Sequence, residues 1–289
     1  MMLAVVSPII IGAVALSSDV AVLYFNWEQL QMAADTGAVA GASYLPSSPG
    51  QAVSTANSYV TVNGIAVGEI LSTTVSGDQT SLNIKLQRTV PYTFGVLLGM
   101  TTATVSAQAT ARIETIGAAT GVTPIGVDYR TAYTSGQVVT LMEGEVGPGN
   151  WSPLALGGTG ASNLEQNIEY GYKGSISVGD MLTTQPGLKA GPIKSGFDYL
   201  LSEGQSVDPE GTFASHTPTD PRVLIVPMVD FSSINGQSQV PVKGFAALWL
   251  VSVDNKNDIE TYFINQVAPG STPDGNVSNF GAYQVVFIQ

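Results

Sequence analysis

The stretch SPIIIGAVALSSDVAVLYFNWEQLQMAADTGAVAGASYL, residues 7–45, decides how this chain begins to fold. It is apolar in its first half, rich in alanine in its second, and holds no proline between Pro8 and Pro46. This composition predicts one helix from about residue 1 to about residue 45, which Pro8 bends two turns in. Such a helix is roughly 65 Å long, about twice the thickness of a bilayer core.

The first half of this helix lacks the charges that accompany a membrane signal. Residues 1–18 contain no charged side chain, and the first basic residue of the whole chain is Lys85. A secretory signal needs a basic segment and a cleavage site, and a membrane anchor usually has Lys or Arg on its cytoplasmic flank. We therefore expect that a basic leader precedes this segment in a precursor and is removed.

Small side chains repeat every four residues in the second half of the helix, in two adjacent rows. Rows of this kind let another backbone approach closely. Either the helix lies tightly on its own domain, or it contacts helices of other subunits; different faces can do both. The rows consist of Ala33, Gly37 and Gly41, and of Ala34, Ala38 and Ala42.

Asp19 is a carboxylate within an apolar stretch, where an ionised group is costly unless it has a partner. The nearest basic residue in the sequence is Lys85, far along the chain. Three partners remain open: the Met1 amine of a neighbouring chain, the hydroxyls of Ser17 and Ser18, or water at a membrane boundary. The first would give Asp19 a role between subunits.

The rest of the chain predicts an α+β fold with a β-rich C-terminal domain of sandwich or barrel type. Ser48 and Pro49 start a second helix, and Asn63-Gly64 ends it. Alternating patterns and continuous apolar runs predict the strands, the latter buried on both faces. The predicted domains are an apolar assembly or membrane helix (1–45), a small α+β head (46–116), a linker (117–124) and a β-rich outer domain (125–289). Predicted strands lie at about 68–76, 80–90 and 102–114, and within 135–145, 174–184, 220–231, 240–253 and 281–289; short helices lie within 159–172 and 190–204, and 92–100 is a short helix or turn.

Composition excludes several classes of function. The 289-residue chain has a net charge of −12, which excludes nucleic acid as a partner because phosphates need clustered basic residues. It has no cysteine and one histidine, His216, so thiol chemistry and a His-based triad or metal site are not expected. Only 11% of the residues are charged, which is typical of surface and fibrous β proteins. We find no spacing that suggests catalysis, and expect neither an enzyme nor a cofactor.

One oxygen-rich turn is a weak candidate for a metal site. Asp254, Asn257 and Asp258 fall within five residues, but their spacing is not that of an EF-hand. A solvated hairpin is the alternative interpretation.

The N-terminal third of the chain resembles the TadE/TadG-like proteins of tight-adherence (Flp-type) pilus systems. That family has an apolar run after a proline, an aspartate-valine pair, an aromatic residue and a Q-L-Q-x-A-A-D-A-A-A-L-A-A-A stretch. The corresponding residues here are Pro8, Asp19-Val20, the aromatics Tyr24, Phe25 and Trp27, and the stretch Leu30 to Ala42, in which Asp35 matches the family's second acid. GQAVSTANSYVTVNGI (50–65) and QTSLNIKLQRTVPYTFGVLLGMTTATVSAQATARI (79–113) are similar to the family's next segments. The resemblance covers about residues 1–114. One departure is Val5, at the position where type IV pilins carry a glutamate opposite a neighbour's amine.

The resemblance implies a pilin-like structural subunit that polymerises through its N-terminal helix into an extracellular, cell-surface filament. Before assembly such a protein resides in the inner or cytoplasmic membrane, and its partners are copies of itself, the pilus assembly machinery and a prepilin peptidase. The alternative is a membrane-anchored minor pilin or adhesin of the same system. The expected contacts between subunits are Met1, Leu3, Val6, Pro8, Ile9, Ile10, Ala13, Val14, Leu16, Asp19, Val20, Leu23, Ala33, Gly37 and Gly41.

Overall fold

The computed structural model describes residues 2–130, 134–141, 151–185, 190–232, 237–254, 258–273 and 277–288. Within α1, the side chains of residues 2–11 and 13 lie outside this description, as does that of residue 190 in α4. The helices are α1 (Met2–Ala42), α2 (Pro49–Val62), α3 (Ala161–Tyr170) and α4 (Ala190–Val207). The strands are β1 (Ile70–Val75), β2 (Ser81–Pro91), β3 (Thr102–Thr115), β4 (Ala118–Ala119), β5 (Ile125–Asp128), β6 (Val138–Leu141), β7 (Trp151–Pro153), β8 (Ile176–Ser177), β9 (Met181–Thr183), β10 (Val223–Val229), β11 (Gln239–Val253), β12 (Ile259–Ile264), β13 (Gln266–Val267), β14 (Gly270–Ser271) and β15 (Ala282–Ile288).

The chain divides into two compact units. The first comprises residues 1–112 and 285–289, and the second comprises residues 113–284. The division falls within β3 and within β15. The chain is thus a mixed α/β protein with a long N-terminal helix and a β-rich unit, as the sequence predicts at that level of detail.

The first unit packs two helices on an antiparallel sheet. Its strands follow the order β1-β2-β3, with β15 beside β3. On β2, Leu82, Ile84 and Leu86 are buried, whereas the alternate residues lie on the other face or in solvent. Because side chains of a strand alternate between its two faces, one apolar row of β2 lies beneath α1. The second half of α1 also contacts α2.

The second unit is built on a mixed sheet with the strand order β6-β12-β11-β10-β5-β7, to which β9 adds at one end of β11. Its central strands are buried on both faces. Leu224, Val226 and Met228 of β10 belong to one apolar cluster with residues of α3 and α4, and Ile225 and Val229 belong to a second cluster with residues of the small β14-β4-β8 sheet. Burial on both faces explains why β10 is a continuous apolar run, as predicted.

The predicted linker, residues 117–124, lies inside the second unit. Ala118 and Ala119 form β4, and both Ala119 and Val122 are buried in an apolar cluster. The glycine and threonine residues of this segment predict a flexible connection. In the structure Gly117 instead allows a close approach, because a Cβ at this position would lie 2.3 Å from the backbone of Pro273. The boundary between the units lies earlier, between Arg112 and Ile113.

Candidate assembly surface

The small-residue rows of α1 face their own chain. Ala33, Ala38 and Ala42 have no exposed surface. A Cβ on Gly37 would lie 2.7 Å from the Val60 side chain, and a Cβ on Gly41 would lie 2.6 Å from the carbonyl oxygen of Ala52. The helix thus lies tightly on its own unit, the first of the two alternatives.

This packing corrects part of the predicted subunit interface. Ala33, Gly37 and Gly41 are buried between α1, α2 and β2, so they offer no surface to another subunit. The physical reason is that a row of small side chains lets one neighbouring backbone approach closely, and in this chain that neighbour is α2.

The preceding part of α1 is exposed on several sides, although it is apolar. Val14 is 62% exposed and Val20 is 64% exposed, Leu16 is exposed to a smaller extent, and Leu23 is half-buried. The aromatic side chains of Tyr24, Phe25 and Trp27 are exposed as well. Contiguous apolar surface of this kind on a protein marks a site of interaction. We call residues 14–27 of α1 the exposed segment.

The remaining predicted contacts fall where no side chain is described. Met1 lies outside the described residues. The others lie within α1, but their side chains lie outside the description, so their interface prediction stays a prediction; they are Leu3, Val6, Pro8, Ile9, Ile10 and Ala13.

Asp19 is the exception on the exposed segment, since only 4% of its surface is accessible. Its carboxylate accepts hydrogen bonds from the backbone N–H groups of Thr93 (2.8 Å), Phe94 (3.0 Å) and Gly95 (2.7 Å). These N–H groups open a short 3-10 helix, Gly95–Leu98, so the carboxylate satisfies donors that have no partner within the turn. This corrects the three partners considered from the sequence, because the partner is the backbone of the same chain.

The environment of Asp19 favours its ionised form. Desolvation alone raises the pKa of this carboxyl, but the backbone hydrogen bonds of Thr93, Gly95 and Phe94 together outweigh it, and the pKa lies below its ordinary value. The charge on Asp19 therefore holds the turn 93–98 against α1 at neutral pH.

A second polar cluster fixes α1 further along. The guanidinium of Arg88 on β2 donates to both carboxylate oxygens of Glu69, and it donates at 3.0 Å to the side-chain oxygens of Asn26 and Gln29 on α1. The hydrogen bond from Arg88 lowers the pKa of Glu69. Because a guanidinium presents five donors in a rigid plane, one residue joins the helix, the sheet and the turn before β1.

An open apolar groove lies on the same unit, on the other part of α1. Its volume is about 710 Å³. Its apolar lining residues include Val39, Tyr59, Val62 and Phe287, and its polar lining residues are Asp35, Thr36 and Asn63. The groove and the exposed segment are separate apolar surfaces of one unit.

The oxygen-rich turn of the second unit closes a hairpin. The backbone N–H of Asp258 donates to the Asp254 carboxylate at 2.9 Å, and the Asp254 N–H donates to the Asp258 carbonyl at 3.0 Å. Asn257 lies outside the described residues. Among the residues that the structure describes, no group of three or more Asp, Glu, His or Cys side chains is arranged to hold a metal ion.

His216, which the sequence places in a polar loop, has more contacts than a surface residue. Its Nε2 lies 3.1 Å from the side-chain oxygen of Gln266, and its ring is 4.9 Å from that of Trp249. The Arg222 guanidinium lies over the same Trp249 ring. These contacts hold the loop against β11 and β13 of the same unit, and no motif in the sequence signals them.

Removing the charge of Asp19 is expected to loosen the turn that it holds. In Asp19→Asn, the new side-chain nitrogen is itself a hydrogen-bond donor. At least one of the three backbone N–H groups of residues 93–95 therefore loses its acceptor. Hydrogen exchange at the amides of Phe94 and Gly95 should become faster, and the exchange of α2 should not. The exposed Glu28→Gln on the same helix removes an equal charge and should change neither.

The same contact gives a pH dependence of known sign. A pKa that is lower in the folded state than in the unfolded state, about 3.9 for aspartate, stabilises the fold above that value, and the contribution is lost as the pH falls through the folded pKa. Protection of the Phe94 amide, corrected for intrinsic exchange, should therefore persist at pH 5 to 7 and fall below about pH 4. Equal protection in Asp19→Asn at neutral pH would contradict the role of the charge.

Among the described residues, no helix combines the length and the apolar character needed to cross a membrane.

Comparison of the chain with protein-family models, with curated proteins and with solved structures found no match in any of the three.

Proposed function

We propose that this chain is a structural, non-catalytic subunit of an extracellular pilus-like filament, of the kind that the resemblance to TadE/TadG-like proteins implies. The observation that carries the proposal is the exposed segment of α1. Its apolar side chains project from a unit that already has a complete core of its own. Apolar surface that the chain itself leaves uncovered is stabilised when a second copy covers it.

The distribution of apolar surface supports an open polymer rather than a closed dimer. An open helical polymer needs a heterologous interface, in which two different patches of each subunit meet. Among the residues that the structure describes, the first unit has at least two such patches, the exposed segment and the groove lined by Val39, Tyr59, Val62 and Phe287. Each subunit can therefore offer one patch to each of two neighbours.

We propose that the subunit passes through two stages, a membrane-held precursor and a subunit of the filament. A precursor with a basic leader is held in the inner or cytoplasmic membrane, where lipid covers the apolar residues of α1. A prepilin peptidase removes the leader, and the pilus assembly machinery transfers the subunit into a filament at the cell surface. Apolar burial stabilises both the membrane-held and the polymerised state relative to exposure to water, since each fully buried valine or leucine is worth about 1.5–3 kcal/mol, and the assembly machinery supplies the transfer between them.

The finer description of the fold belongs to the same proposal. The first unit, with α1, α2 and the antiparallel strands β1, β2 and β3, acts as a pilin-like head on its helix. The second unit, in which one apolar cluster lies between the large sheet and the small β14-β4-β8 sheet and the other lies between the large sheet and α3 and α4, acts as a sandwich-like outer domain. Its surface faces the surroundings of the filament.

The proposal is tested by removing detergent from the purified full chain and examining it by negative-stain electron microscopy. We expect long, regular fibres of one diameter. A chain that remains monomeric or forms only small closed oligomers would contradict a polymer, and would favour the membrane-anchored minor pilin or adhesin instead. Light scattering during detergent removal gives the critical concentration, which a polymer has and a small oligomer does not.

A further inference from the structure

Two segments of the first unit, residues 1–27 and 89–111, have no exposed charged side chain among the residues whose side chains the structure describes. Residues 89–111 contain no acidic or basic residue and no histidine, and residues 1–27 contain Asp19 alone. The carboxylate of Asp19 is turned onto the backbone of residues 93–95 and is almost inaccessible. Two parts of the chain that are distant in sequence thus meet at one buried carboxylate, that of Asp19, and neither part exposes a charged side chain of its own.

The turn between β2 and β3, within residues 89–111, exposes large apolar side chains. Leu97 is 85% exposed, and Phe94, Val96, Leu98 and Met100 are exposed as well. Glycine shapes the turn at two points: a Cβ on Gly95 would lie 2.9 Å from the Tyr92 ring, and Gly99 has a φ of +82°. We call residues 94–100 the apolar turn.

The position of the apolar turn along α1 is fixed by Asp19. Three hydrogen bonds hold the start of the turn to the helix at this residue. Tyr24 and Trp27 follow about 8 and 12 Å further along α1, at 1.5 Å per residue. Tyrosine and tryptophan are the residues enriched where a protein passes from hydrocarbon to water.

We propose that the apolar turn inserts into the boundary between headgroups and acyl chains of an electrically neutral lipid bilayer, beside the uncharged part of α1. One observation favours lipid over a second copy of the chain, and another favours a neutral over an anionic lipid surface. The apolar turn and the neighbouring part of α1 together form a surface without exposed charge, whereas the rim of a protein–protein interface is polar. The chain as a whole carries −12, which repels it from an anionic surface and leaves apolar burial as the attraction.

This inference rests on the membrane stage of the proposed function and adds a contact to it. The helix alone fixes neither the height of the head above the bilayer nor its rotation about the helix axis. A second apolar element, fastened to the helix at Asp19, fixes both. The subunit would then be held in one orientation before assembly.

The test follows the apolar turn itself, in the full chain. Because the chain has no cysteine, Leu97→Cys carries one label, a polarity-sensitive NBD fluorophore. Thr74→Cys is the matched control, an exposed position of β1 paired with Asn83, eight residues along β2 from Pro91. Both variants are reconstituted from detergent into phosphatidylcholine vesicles, and also examined after detergent removal without lipid.

We expect the label at position 97 to shift to the blue in vesicles and to be quenched by lipids that carry a spin label near the headgroup, whereas the label at 74 does neither. Replacing phosphatidylcholine by phosphatidylserine should not increase the shift. Water-like emission at 97 in vesicles would overturn the inference, and so would an apolar shift that occurs only in lipid-free fibres, because the turn would then be a contact between subunits. If the label inserts but no fibres form in any condition, the inference stands and the filament proposal fails.

A second measurement does not depend on a label. Leu97→Ser and Leu98→Ser each remove one exposed leucine without adding a charge, and each should weaken partitioning into phosphatidylcholine vesicles about tenfold. The exposed Leu71→Ser on β1 is the control and should leave partitioning unchanged. Equal partitioning of all three variants and the parent chain would also overturn the inference.

Discussion

Val14→Asp is expected to abolish filament formation and to leave both compact units folded. Val14 is 62% exposed and lies on the exposed segment, five residues before Asp19, whose carboxylate fastens α1 to its own unit. In the proposed polymer this side chain is covered by a neighbour. An unpaired carboxylate buried there costs at least about 3 kcal/mol, which raises the critical concentration more than about a hundredfold.

The matched control for this substitution is Val67→Asp. Val67 is 75% exposed and lies in the short 3-10 helix before β1, so the same change adds the same charge away from the exposed segment. It should leave assembly unchanged. Circular dichroism and thermal unfolding in detergent establish that both variants fold, and electron microscopy after detergent removal compares fibres. Normal fibres from Val14→Asp would show that the exposed segment is not the interface.

The local structure of this chain follows from patterns that neighbouring residues supply. The long helix was predicted to residue 45 and ends at Ala42, and α2 begins at Pro49 as predicted. The alternation of Leu82, Ile84 and Leu86 predicted β2 and its buried face. These patterns suffice because the period of a helix or strand is determined within a few residues.

The partners of the site residues could not be predicted, because they lie far away in sequence. Asp19 is bound by amides that are 74 to 76 residues distant, and backbone N–H groups leave no signal in a sequence. The fold also decided between two possible partners of the small-residue rows. Both alternatives need the same spacing of Gly37 and Gly41, and only the position of α2 shows that the partner is in the same chain.

The contacts that fold the head and those proposed to build the filament are therefore separated along one helix. From Val14 to Trp27 the apolar side chains of α1 are mostly exposed, and from Leu30 onward one face is buried against α2 and β2. The Arg88 cluster lies at this transition, where it holds Asn26 and Gln29. A subunit built this way has a complete fold before it meets a neighbour, so assembly and folding can be altered independently by mutation.

Gly41→Leu is expected to destabilise the first unit strongly, without any requirement for a second subunit. A Cβ at this position would lie 2.6 Å from the carbonyl oxygen of Ala52 and 2.8 Å from the side chains of Ala56 and Leu82. The carbonyl belongs to α2, so relief of the clash needs the whole helix to move away from α1. Overpacking of this kind costs about 3 kcal/mol, which lowers the Tm of a small domain by roughly 10–20 °C.

The measurement is thermal unfolding of the monomer in detergent, with hydrogen exchange to locate the change in α2 and β2. Gly50→Leu is the matched control, since Gly50 lies on α2 and a Cβ added there would have no atom within 4 Å, and this change should alter stability by less than about 0.5 kcal/mol. If Gly41→Leu leaves the monomer as stable as the parent chain and instead prevents fibres, the small-residue row faces a neighbouring subunit. The assignment of this row to the fold of its own chain, and with it the separation of folding from assembly along α1, would then be wrong.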